Sequence, residues 1–174
     1  MGKLQLLLLE DLDQEAEKLS ATLKNHHYDV MRVRNEAEAI AALKKRFFDI
    51  IILDIMIDGK PEGISLAKRI QKQQIEVPFL FLTSMQSKVV FEEAKYTNPY
   101  SYLLKPYNEL ELLYSLELAI ESHYQQEETI SFGKDTAVIS PNYLFVKKGK
   151  SVVKVDVSTI NHCLLYTSPS PRDA

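Results

Sequence analysis

The chain has 174 residues, 45% of them hydrophobic, enough to bury one complete core and to begin a second. Its formal net charge of −3 supplies no global basic field to recruit nucleic acid or an anionic membrane, so any DNA contact has to be local. The single cysteine, Cys163, excludes an intramolecular disulfide framework and fits a reducing compartment, which makes the cytoplasm the expected location.

The first apolar run, Leu4–Leu9, has the look of a signal peptide after Met1-Gly2-Lys3. It is too short, and Glu10, Asp11 and Asp13 stand where small cleavage-site residues belong, so it reads as a buried strand. Further runs at Tyr28–Val33, Asp49–Leu53, Val77–Leu82 and Tyr100–Leu104 read as central parallel strands, apolar on both faces because helices cover both. Between and after them, helical patterns run over Asp13–Asn25, Glu36–Arg46, Gly63–Gln73, Lys88–Tyr96 and Glu109–Tyr124. On the first, Ala16, Leu19, Leu23 and the intervening Ser20 form one face, while Glu15, Glu17, Lys18 and Lys24 point to water. Asp58-Gly59, Pro61, Asn98-Pro99 and Pro106 punctuate the joints. No stretch approaches the ~20 apolar residues of a membrane helix, so no membrane partner is expected.

Strand and helix alternate five times, which predicts an α/β domain over residues 1–124: a (βα)5 doubly wound parallel sheet with right-handed crossovers. Residues 125–136 are polar and charged and read as a linker. Tyr143–Val146 and Val152–Val157, separated by Lys147-Lys148-Gly149-Lys150, then give a hairpin signal, so an incomplete β-rich segment is expected from about Ala137 to residue 162. Residues 163–174 lose all periodicity in a Ser/Pro alternation and are expected to be disordered.

In an open parallel sheet, ligands bind beyond the carboxyl ends of the strands. Glu10-Asp11, Asp54, Thr83 and Lys105-Pro106 all fall there. Like charges ~4 Å apart repel by about 4 kcal/mol at an effective dielectric of 20, so three carboxylates need a counter-charge or raised pKa values. Mg²⁺ suits an all-oxygen set that includes a phosphate oxygen, and the lack of His and Cys among these residues argues against zinc. Taken singly, each has a plainer reading: Glu10, Asp11 and Asp13 as caps of the first helix, Asp54 and Thr83 as turn residues. Lys105 changes the balance, because its ammonium reaches a phosphate as a point charge and Pro106 fixes the turn that carries it.

These residues, in this strand order, make residues 1–124 resemble the receiver domain of two-component response regulators, with Leu53-Asp54-Ile55-Met56 and Lys105-Pro106 intact. The resemblance implies a flavodoxin-like sheet and Mg²⁺ held by Glu10, Asp11, Asp54 and the backbone carbonyl of Met56. It implies that Asp54 accepts a phosphoryl group from a sensor histidine kinase, assisted by Lys105 and Thr83. The chain would then be a signalling phosphoacceptor that catalyses its own phosphoryl transfer and slow dephosphorylation, not a conventional enzyme. Thr83 and Tyr102 are implied as the switch pair and Lys105–Pro106 as a cis peptide; Val89, Val90, Phe91, Leu112 and Leu113 read either as the surface of a phosphorylation-dependent homodimer or as helical core.

Residues 137–162, notably Asn142–Lys150, resemble the opening of a LytTR-type DNA-binding domain, which implies transcription control by an intact parent. Lys147, Lys148, Lys150 and Lys154 read either as phosphate contacts or as a solvated surface. Because that family's base-reading portion falls beyond these residues, the chain as written is not expected to bind specific DNA. The tail 163–174 resembles a sequencing adaptor translated in frame and is left out of fold reasoning. Three other functions fit parts of the pattern: a stand-alone receiver acting through protein contacts, a flavodoxin-like cofactor binder, and a haloacid-dehalogenase-like phosphatase. The second is disfavoured because Glu10-Asp11-Leu12-Asp13 lacks the Gly, Ser or Thr groups that cradle phosphate. The third matches the spacing of Asp11 and Asp13 but leaves the set around Asp54 without a role.

Overall fold

The computed structural model describes residues 2–125 and, beyond them, the backbone at 129–132, 135–139, 143–148 and 151–156. In the first unit β1 (Leu4–Leu9), β2 (Tyr28–Val33), β3 (Ile50–Leu53), β4 (Phe79–Thr83) and β5 (Ser101–Leu104) pair in the order β2-β1-β3-β4-β5, every pair parallel. They alternate with α1 (Asp13–Asn25), α2 (Glu36–Lys45), α3 (Glu62–Lys72), α4 (Lys88–Lys95) and α5 (Glu109–Gln125). This is the doubly wound flavodoxin-like α/β sheet that the alternation predicts.

The strands are apolar throughout because each face feeds a separate core, residues two apart pointing the same way. Leu7, Leu9, Ile51, Leu53, Phe79 and Phe81 enter one cluster; Leu6, Leu8, Ile50, Ile52, Leu80 and Leu82 enter the other. Each such side chain contributes about 1.5–3 kcal/mol on burial. Leu112 belongs to the second cluster and is 0% exposed, so it is core, not dimer surface, and Leu113 packs against the same cluster. Val89 and Phe91 do face solvent.

Four starts differ from the sequence reading: β3 and β5 each begin one residue later, at Ile50 and Ser101, and those of β4 and α3 have a visible cause. β4 begins at Phe79 and runs on to include Thr83; Pro78, without an N–H, offers only its carbonyl, which accepts from Ile51 N. α3 begins at Glu62, and Gly63 lies in its first turn against β3: a Cβ on Gly63 would meet the Asp54 carbonyl oxygen at 2.0 Å. Only a residue without a side chain lets α3 approach the end of β3 so closely.

The second sheet is antiparallel, in the order β6 (Thr129–Phe132), β7 (Asp135–Ile139), β8 (Tyr143–Lys148), β9 (Ser151–Asp156). β6 and the start of β7 fall inside 125–136, the stretch expected as a linker; Thr129-Ile130-Ser131-Phe132 alternates polar and apolar residues and pairs with Asp135–Val138. The tail 163–174 with Cys163, and the side chains of Lys147, Lys148, Lys150 and Lys154, lie outside the described residues.

Candidate functional site

Register builds the site. Leu9 pairs with Leu53, and Asp54 N donates to Leu9 O (3.0 Å), so Glu10 and Asp54 leave neighbouring strands at one level. Between β1 and β3 the chain order reverses, the switch point at which open α/β sheets form their crevice. Thr83 pairs with Leu104, and Lys105 N donates to Thr83 O (2.9 Å), which brings the lysine to the same edge. The Lys105–Pro106 peptide is cis.

Lys105 is the hub. Its Nζ donates to Glu10 Oε2 (2.6 Å), Glu15 Oε2 (2.5 Å) and Asp54 Oδ2 (2.7 Å). Thr83 Oγ1 donates to Asp54 Oδ1 (2.8 Å), and Met56 N donates to the same oxygen (3.2 Å). Burial pulls the Lys105 pKa down, but hydrogen bonds to Asp54, Glu10 and Glu15 outweigh it and hold the ammonium above the ordinary lysine range. Glu10 is 2% exposed; burial raises its pKa, opposed by the bonds from Lys105 and from Leu12 N (3.0 Å).

The acids do not serve as the helix caps of the plainer reading. Leu12 occupies the N-cap of α1 with no side-chain cap bond. Asp13 instead accepts from Arg32 Nη1 (2.5 Å) and Arg34 Nη2 (2.7 Å), and the Arg32 hydrogen bond lowers its pKa. Arg32, at the end of β2, also donates to the carbonyls of Glu10 (2.9 Å) and Asp11 (2.8 Å), so one guanidinium ties down the acidic loop.

Asp11, expected beside Glu10 and Asp54 as a metal ligand, is turned elsewhere: its Oδ2 accepts from Asp58 N (2.9 Å). Asp58 and Gly59, both at positive φ, form a two-residue turn closed by paired bonds between Ile57 and Lys60, which fixes where the Asp58 amide points. Glu15, expected to point to water, turns its Oε2 instead to the ammonium of Lys105. Among the described residues, Glu10, Glu15 and Asp54 each offer an oxygen within 4.8 Å of the others. An all-carboxylate set with a surplus of negative charge fits a hard divalent cation such as Mg²⁺. Met56 is at the site through its amide.

Tyr102 on β5 is half-buried, its ring 5.0 Å from Phe91 of α4 and 6.0 Å from Phe81 of β4. Its hydroxyl donates to Met85 O (3.0 Å), and Met85 N donates to Thr83 Oγ1 (3.3 Å). A continuous line of contacts thus runs from Asp54 through Thr83, Met85 and Tyr102 to α4. Glu15, Arg32 and Gly63 are the site residues that the strand-end pattern did not pick out.

Residues 6–117 match the family described as "Response regulator receiver domain". Protein RcaC of Microchaete diplosiphon is 33% identical over 110 residues, 63% of this chain; the match spans 17% of that relative's length. Among solved structures, the signal receiver domain of a modulated diguanylate cyclase from Desulfovibrio desulfuricans G20 is 33% identical with a TM-score of 0.66, covering 72% of this chain and 99% of that one. A CheY-like response regulator receiver domain protein from Methanospirillum hungatei JF-1 superposes with a TM-score of 0.67 at 18% identity, covering 72% and 99%, a likeness of fold.

Proposed function

This chain belongs to the response regulator receiver family, the phosphoacceptor domains of two-component signalling, and from that premise we propose that Asp54 accepts a phosphoryl group from the phosphohistidine of a sensor histidine kinase. The observation that carries the reading is the convergence on one carboxylate: Lys105 Nζ on Asp54 Oδ2 and Thr83 Oγ1 on Asp54 Oδ1.

In the transfer, an Asp54 carboxylate oxygen forms a bond to phosphorus while the P–N bond of the donor breaks. The electron pair of that bond returns to the imidazole nitrogen, and the product is an acyl phosphate on Asp54. Positioning and neutralising the transferring oxygens is most of the catalytic task. Lys105 supplies positive charge, Thr83 a hydroxyl donor, and Met56 N a backbone donor at the same edge. Glu10 and Asp54 would hold Mg²⁺, which would supply further charge neutralisation at the phosphoryl oxygens, with Glu15 beside them on Lys105. Asp11, set for the family's role by its place after β1, would join them only by leaving Asp58 N.

For the switch, Thr83 turns from the carboxylate to the new phosphoryl oxygens, and the Met85–Tyr102 contacts carry the change to α4. Residues 1–124 form the receiver in this reading, and those from about 137 open a LytTR-type output domain, on the resemblance of Asn142–Lys150. A transcription regulator in the cytoplasm follows; among the described residues, no helix is long and apolar enough to cross a membrane. A receiver acting by protein contacts alone is the second reading, favoured if an intact parent carrying the whole output domain shows no specific shift of DNA at any salt concentration.

The deciding experiment is intact-mass spectrometry of the full chain after incubation with a small acyl phosphate, with and without Mg²⁺, beside Asp54→Asn. A single Mg²⁺-dependent phosphoryl adduct in wild type, absent from the variant, is expected; no adduct in wild type would overturn the reading.

A further inference from the structure

An ammonium carries three N–H donors. On Lys105 all three are taken, by Glu10, Glu15 and Asp54 at 2.5–2.7 Å. A phosphoryl oxygen arriving at Asp54 is a fourth acceptor, so Lys105 engages it only by giving up one of the bonds it holds. The three are not equal. The Glu10 side chain is 2% exposed, and losing its partner would strand a buried carboxylate. Asp54 is 11% exposed and is itself the reacting group. The Glu15 side chain is 43% exposed, so water can replace the ammonium when that bond opens.

We propose that Glu15 is a positioning residue for phosphoryl acceptance: it parks the third donor of Lys105, and its release is a step the incoming phosphoryl group must drive. The inference rests on the receiver reading of Asp54. It assigns a function to a residue of α1 that lies ninety positions from Lys105 in sequence and reaches it only because α1 and the end of β5 share the crevice. Glu15→Gln leaves a neutral, weaker acceptor, and Glu15→Ala leaves none; both free a donor for the phosphoryl oxygen.

The experiment is the second-order rate constant of Asp54 phosphorylation by a small acyl phosphate at saturating Mg²⁺, in the full chain. Glu15→Gln and Glu15→Ala are compared with wild type and with Glu17→Gln, which removes the same charge from the exposed face of the same helix. Rates about threefold to fivefold above wild type are expected for both Glu15 variants, the size of one partly exposed charged contact. Glu17→Gln is expected to match wild type. A change in unfolding midpoint alone, with rates unaltered, is the outcome of a merely structural role and overturns the proposal, as do rates that fall. Equal acceleration in Glu17→Gln also overturns it, since long-range repulsion of the anionic donor then explains the effect. Absence of any adduct in wild type is instead the failure of the receiver reading, and the two are told apart by the wild-type lane.

Discussion

Buried acids sit at both ends of the five-stranded sheet, and the two ends provide for them differently. At the amino ends, Asp49 is 3% exposed and accepts the backbone amide of Gln5 (2.7 Å), while Thr97 Oγ1 donates to Ala94 O and Gln71 Nε2 to Thr97 O. There each polar group is matched locally, mainly by backbone. At the carboxyl ends, Glu10, Glu15 and Asp54 share the single ammonium of Lys105. That end carries more negative charge than its own cation neutralises. One end is closed by its own hydrogen bonds; the other, on the proposed reading, would gain from a divalent cation and exchange a contact for a phosphoryl oxygen.

The sharpest way to break this comparison is Lys105→Met. Removing a donor aimed at developing charge is expected to slow Asp54 phosphorylation about 100-fold, read by intact mass against time. A wild-type rate would mean that the ammonium only balances buried charge. Gly63→Ala is next: its Cβ would press on the Asp54 carbonyl oxygen, displacing α3 or the acceptor. A loss of about 1–3 kcal/mol in urea unfolding, with slower adduct formation, is expected.

Asp49→Ala tests the closed end. Orphaning the Gln5 amide is expected to cost about 2 kcal/mol of stability while leaving the phosphorylation rate of the folded protein unchanged. A rate defect as large as that of Lys105→Met would show that the two ends are not independent. Mg²⁺ sharpens the contrast from the other side. At ten times its dissociation constant it is expected to stabilise wild type by about 1.4 kcal/mol, and less when Glu10 is replaced by Gln. Calorimetric melts with and without Mg²⁺ measure this.

The smallest effect is a pH dependence confined to the closed end. His123, whose Nδ1 lies 3.1 Å from the Tyr100 hydroxyl and whose ring packs on Tyr124, has its pKa lowered from 6.5 by burial, against the opposing pull of Glu76. The folded state therefore prefers the neutral ring. Its stability contribution is complete above about pH 6.5 and falls as pH drops below that value, where the unfolded chain takes up the proton first. Urea melts of wild type against His123→Gln across that range are expected to converge as pH falls.

The fold was legible because both of its signals are local. A run of apolar residues on both faces and an amphipathic helix each show in a short window of sequence, and their alternation leaves few topologies. Glu10, Asp54, Thr83 and Lys105 were legible for a related reason: the end of a strand is visible in the sequence, and parallel strands bring their ends to one edge. The stretch read as a linker was not, because Thr129–Phe132 is too short a run to outweigh the charged residues before it, and its partner strand supplies the pairing.

By itself the sequence determined which side chains reach the carboxyl edge from the strands, since period-two alternation and strand ends are properties of the chain alone. Tertiary structure decided how those groups share partners. Glu15 looks like any solvated acid on α1 until β5 places Lys105 beside it. Asp11 looks like a twin of Glu10 until the Asp58-Gly59 turn presents an amide to it. Gly63 looks like a poor helix residue until the Asp54 carbonyl comes within reach of its missing Cβ. Each depends on a distance between residues far apart in the chain, set by packing over two cores, and no local pattern records it.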